Sequence, residues 1–152
     1  MITSYKIKDT NTKVELVDYV RQYLKEHKDA EILIGCDSQN KKRITRYAVC
    51  VGLYRPGKGA HVISNVFDTP RERETVVRLI NEVWHSIDAA ELLIAEGLPR
   101  ASFIDIDVNP NPKYKSNAAF KQAVGSAEGM GYNVRHKGNY PQMSYAADSE
   151  VK

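Results

Sequence analysis

Three aspartates stand where neighbouring strands could bring their carboxylates together. Asp37 closes the apolar run EILIGCD at residues 31–37, and Asp105 and Asp107 lie near the end of SFIDIDV at residues 102–108. If both runs are strands and lie side by side, the acids become neighbours despite their separation in sequence. Like charges that close raise each other's pKa and repel unless a cation lies between them. Clustered carboxylate oxygens are the ligand set of Mg²⁺ or Mn²⁺, hard cations that keep several waters and accept substrate phosphate oxygens. Two such ions about 4 Å apart can activate an attacking water and stabilise the leaving oxygen of a phosphodiester. Asp107 is the stronger ligand candidate of its pair, being closer to the strand end and to the Asn109-Pro110-Asn111-Pro112 turn. Asp105 would share its face two residues back.

The elements that must position these acids can be read along the chain. Thr12 and Glu15 form a capping-box pattern, so a helix is expected over 13–28, with Leu16, Val17, Val20 and Leu24 inward. Residues 31–37 are too uniformly apolar for a half-exposed strand and read as a central one. Residues 44–55 and 60–67 follow as two strands joined through the Pro56-Gly57 turn, antiparallel because the connection is short. Thr69, Pro70 and Glu72 combine a cap, a first-turn proline and a third-position acid, which predicts a helix over 70–96, roughly 40 Å long. Its apolar stripe is Val76, Val77, Ile80, Val83, Trp84 and Ile87. A fourth strand at 102–108, a helix capped by Ser116 with Ala119, Phe120, Ala123, Val124 and Ala127 inward, and a fifth strand at 132–137 complete the pattern. The tail has room for one short helix.

This order predicts a single α/β domain over 1–152, with a mixed five-stranded sheet in the order 3-2-1-4-5, helices packed on it and an extra N-terminal helix. Each helical crossover returns its strand parallel and right-handed. Strands one and four then meet at the topological switch point, where open α/β sheets place their sites.

Composition narrows the function classes. The 152 residues are 42% hydrophobic and 27% charged, an ordinary globular balance that needs no disulfide or metal staple. No run of 18 apolar residues occurs, and a cytoplasmic protein without membrane contact is expected. Cys36 and Cys50 lie inside apolar runs and read as reduced core thiols. The four histidines show no zinc spacing, and neither a Gly-rich phosphate loop nor a Gly-x-Ser-x-Gly elbow is present. Net charge is only +3, but the cations are grouped. Lys41, Lys42, Arg43 and Arg46 follow the first strand, Lys113 and Lys115 flank Tyr114, and Arg135, His136 and Lys137 close the fifth. Basic residues interleaved with Tyr can hold phosphates and stack a base, so nucleic acid is the expected partner.

The order and spacing of Ile34-Gly35-Cys36-Asp37-Ser38-Gln39, of Ile106-Asp107-Val108-Asn109 running into Pro110–Ser116, and of Tyr145-Ala146-Ala147-Asp148 resemble the ribonuclease H-like superfamily. Within it the chain looks most like the bacterial and phage YkuK-like family. The resemblance implies that Asp37 and Asp107 bind metal, that Asp148 supplies a late carboxylate, and that the long helix contributes a glutamate. Glu72 is already used in the cap. Glu82 falls about 200° round the helix from Ile80 and is expected to face solvent. Glu74 is the preferred candidate. The implied activity is that of a nuclease using Mg²⁺ or Mn²⁺, as two ions, on RNA, RNA–DNA hybrid or structured DNA. The alternative is a non-catalytic module on the same scaffold that binds nucleic acid or protein.

Overall fold

A computed structural model describes residues 3–106, 117–136 and 150–152. The chain opens with two short strands, β1 (Ser4–Ile7) and β2 (Lys13–Glu15), paired antiparallel across a turn in which Asp9 takes a positive φ of 63°. Pairing with β1 holds residues 13–15 extended, so α1 (Leu16–Glu26) starts later than the Thr12 capping box predicts. Glu15 becomes the cap itself, its carboxylate accepting from the Val17 and Asp18 N–H groups at 3.2 and 2.7 Å.

β3 (Glu31–Lys41), β4 (Ile44–Arg55) and β5 (Gly59–Pro70) form a long antiparallel meander. β3 runs on through Lys41, which places Asp37 within a strand and not at its end. The two-residue turn at Lys42 and Arg43 is closed by Lys42 at φ 53°, the left-handed geometry that tight hairpins demand.

The helix start expected at Pro70 is instead the end of β5, where Pro70 pairs opposite Ile44. The next backbone donors are taken by the sheet: Arg71 N–H binds the Arg43 carbonyl at 3.1 Å and Glu72 N–H the Thr45 hydroxyl at 2.8 Å. α2 (Thr75–Ala95) therefore begins five residues late, with Glu74 at its cap. It is followed by β6 (Phe103–Ile106), α3 (Asn117–Gly129) and β7 (Val134–His136), and residues 150–151 are helical.

The sheet has seven strands in the order β2-β1-β5-β4-β3-β6-β7. The expected sheet of five is thus corrected to seven. The succession 3-2-1-4-5 recurs as β5-β4-β3-β6-β7, and β1 and β2 extend it beyond β5. β6 lies parallel to β3, with Gly35 opposite Asp105, and β7 parallel to β6. Strand alternation splits the core in two. Ile32, Ile34 and Cys36 of β3 face the helices together with Tyr47, Val49, Val51 and Ile104. Leu33 faces the other way with Ala48, Cys50 and Val151.

Candidate active site

Asp37 lies two residues beyond the last described pair between β3 and β6. Its carboxylate accepts the N–H of Ser38 at 2.8 Å. Ser38, on the helix side of the strand, donates its hydroxyl to Glu82 of α2. Arg78, one helical turn earlier, donates from Nη1 to both the carbonyl and the hydroxyl of Ser38, at 3.0 and 2.8 Å. Ser38 thus contacts two carboxylates on opposite faces of β3: its N–H binds Asp37, which alternation places on the Leu33 side of the sheet, and its hydroxyl binds Glu82 on the helix side, where Arg78 also donates to it.

Glu82 is only 5% exposed, which overturns the expectation that it faces solvent. The expected stripe holds in part: Val83 and Ile87 are buried and Ile80 packs against the core, but Val76, Val77 and Trp84 are 37–42% exposed. The buried side of α2 is wider than that stripe and also takes in Glu82, Ser86, Ala89 and Leu93. Small residues at helical spacing, which let a helix approach a sheet closely, were the signal available. A buried carboxylate is costly unless hydrogen-bonded and near a positive charge, and Ser38 with Arg78 meets both needs. Glu74, the glutamate preferred from sequence, is exposed at the α2 cap and its side chain makes no capping hydrogen bond.

Asp105 is fully enclosed. Arg135 grips both of its oxygens, from Nε at 2.9 Å and Nη2 at 3.1 Å, and lies with its guanidinium 4.5 Å from the Phe103 ring centroid. Arg135 is therefore turned inward and is not part of a basic rim.

The cations after Asp37 divide by partner. Arg46 is held by Asp68 through two hydrogen bonds of 2.8 and 3.0 Å, and this bonding keeps the Asp68 carboxyl below its ordinary pKa. Lys41, Lys42 and Arg43 lie at the hairpin between β3 and β4. Asp37 is four residues from Lys41, about 13 Å along an extended strand. Arg71, expected within a helix, donates instead to the Lys42 carbonyl at 2.8 Å and adds its charge to the hairpin tip. Asp107, Lys113, Tyr114, Lys115, Lys137 and Asp148 lie outside the described residues.

Among the described residues no three His, Cys, Asp or Glu side chains converge, so the carboxylates described around Ser38 are Asp37 and Glu82. The two thiols offer no nucleophile: both are buried, and burial pushes Cys50 up to about 12 and Cys36 well above its usual value. Among the described residues no helix is long and apolar enough to cross a membrane. A protein-family model described as Ribonuclease H-like matches residues 13–152. No curated protein and no solved structure matched the chain.

Proposed function

Because the chain belongs to the ribonuclease H-like family, whose members point to nuclease-type or nucleic-acid-related work, we propose that it is a divalent-metal-dependent nuclease. Its substrates in this reading are RNA, RNA–DNA hybrid or structured DNA, and its nearest kin the YkuK-like group. The observation that supports this most is the place of Asp37 on β3, two residues beyond the pairing of Gly35 with Asp105 of β6 and on the sheet face that Asp105 shares, with Glu82 held by Ser38 on the other face of the same strand.

These donors are all oxygens, which suits Mg²⁺ or Mn²⁺ better than zinc. Bound at Asp37, such an ion would supply an activated water and charge stabilisation at the phosphodiester. The chain's own contribution is positional. Ser38 and Arg78 fix the Glu82 carboxylate, and β3 fixes Asp37 in the sheet. Asp107 and Asp148 complete the ligand set in this reading. Asp105 is a weaker ligand because Arg135 already engages both of its oxygens.

The test is a cleavage screen over single strands, duplexes, hybrids and junctions with Mg²⁺ or Mn²⁺, run beside Asp37→Asn and Asp107→Asn. Cleavage by the parent and its loss in both variants is the expected result. Equal cleavage by all three proteins would place the activity elsewhere, and binding without cleavage would leave the non-catalytic module.

Lys41, Lys42 and Arg43, supported by Arg71, are the proposed phosphate contacts, with Lys113, Tyr114, Lys115 and Lys137 as further contacts from the sequence pattern. Replacing Lys41, Lys42 and Arg43 together by Ala should weaken nucleic-acid binding and flatten its dependence on log salt by about two to three, the slope of three lost phosphate contacts. Arg46→Ala should change the slope little, since Asp68 already neutralises that charge. An unchanged slope in the triple variant would remove the hairpin from the interface.

A further inference from the structure

On the helix-covered side of the sheet, α2 leaves a cleft beside β4 and β5. Its larger lobe, about 660 Å³, has an apolar floor that includes Val49 and Phe67. A second lobe of about 380 Å³ shares His85 and Asp88 with it and reaches the exposed Trp84. Asp37, Ser38, Arg78 and Glu82 line neither lobe. The larger lobe is within the size range of small-molecule sites, roughly 300–1,000 Å³.

The charged groups that line this cleft are all carboxylates. Asn65 donates from Nδ2 to the Ser4 carbonyl at 2.7 Å, which fixes the amide so that Oδ1 is its remaining group. That oxygen is buried and has no hydrogen-bond partner among the described residues; a buried acceptor left unmade is a standing cost that a donor would relieve. Asp88 and Glu91 add two carboxylates to the larger lobe and Glu72 a third to the second, and no Lys or Arg among the described residues lines either lobe. His85 stands edge-on to the rings of Tyr47 and Phe67, at 4.7 and 4.9 Å between centroids. Burial keeps its pKa below the usual value, so it adds no positive charge near neutrality.

We propose that this cleft binds an aromatic amine, its ring packed on Phe67 and the α2 wall and its ammonium directed to Asn65 Oδ1, Asp88 and Glu91. A buried acceptor, carboxylates and aromatic faces without an opposing cation suit an organic cation better than an anion of the same shape. The chain as a whole carries a net charge of +3, so general attraction of cations to the protein does not account for such binding.

Isothermal titration of the full chain with tryptamine and with indole-3-propionate compares one ring system carrying opposite charges. Tryptamine should bind one to one and at least about tenfold tighter than the acid. Asp88→Asn with Glu91→Gln should weaken tryptamine by about tenfold or more while the melting midpoint stays close to the parent's. Glu91→Gln keeps an acceptor for the Tyr132 hydroxyl, which Glu91 now receives at 2.6 Å. Equal binding of the two probes, undiminished tryptamine binding in the double variant, or no binding of tryptamine at about 5 mM, where even a millimolar site would fill, would each overturn the proposal.

Discussion

Glu82→Gln should lower metal-dependent cleavage about 10³-fold, the scale of losing one preorganised charge-stabilising group, while Glu74→Gln leaves it within about twofold. The two glutamates lie eight residues apart on and beside the same helix, but only Glu82 is buried against β3 and joined to Ser38. Gln matches Glu in size and still accepts from the Ser38 hydroxyl, so the substitution removes charge and little packing. Thermal midpoints of the two variants should therefore be similar, and the cleavage assay should separate them. A large loss in Glu74→Gln with none in Glu82→Gln would return the catalytic glutamate to the α2 cap.

The second large effect is on stability. Asp105→Ala should cost about 3–5 kcal/mol, because it leaves Arg135 buried without its partner. The Asp105 side chain is 0% exposed and that of Arg135 11%, so neither charge is well served by water. Against a typical domain stability of about 5–15 kcal/mol, a urea midpoint would move far. Arg135→Met should cost a comparable amount, and combining it with Asp105→Leu should recover much of the loss, since an apolar pair of similar volume avoids the desolvation penalty. A loss below about 1 kcal/mol in Asp105→Ala would mean that the pair is not formed in solution. The same variant separates structure from ligation: if Asp105 only pairs Arg135, the midpoint falls but Mn²⁺ still raises it.

The alternation of strands and helices could be read from the sequence because it rests on local signals. EILIGCD is uniformly apolar, the Pro56-Gly57 turn is unmistakable, and the two crossovers are helical. The features that could not be read depend on partners far along the chain. Ser4–Ile7 and Lys13–Glu15 carry no strong strand pattern, and become strands by pairing with each other and, for β1, with β5. Thr69, Pro70 and Glu72 are a sound helix start by composition, yet the Arg43 carbonyl and the Thr45 hydroxyl claim the N–H groups of residues 71 and 72. Glu82 was misplaced for a related reason. Val76, Val77 and Trp84 extend the apolar stripe to one side, but the helix buries Glu82, Ser86, Ala89 and Ala90 beside Val83 and Ile87 and leaves those three exposed. Sequence position alone does not show that Asp105 is engaged elsewhere, and Asp107 lies outside the described residues. The partner of Asp105 is Arg135, on a strand whose register could not be read from the sequence.

The most direct test of a metal site at Asp37 is a Mn²⁺ titration followed by thermal unfolding, with the parent beside Asp37→Asn. An ion bound only by the folded chain stabilises it by mass action, about 2.7 kcal/mol at a hundredfold excess over its dissociation constant. The midpoint should rise with Mn²⁺ in the parent and stay flat in Asp37→Asn. No rise in the parent, or the same rise in both proteins, would contradict a metal site built on Asp37.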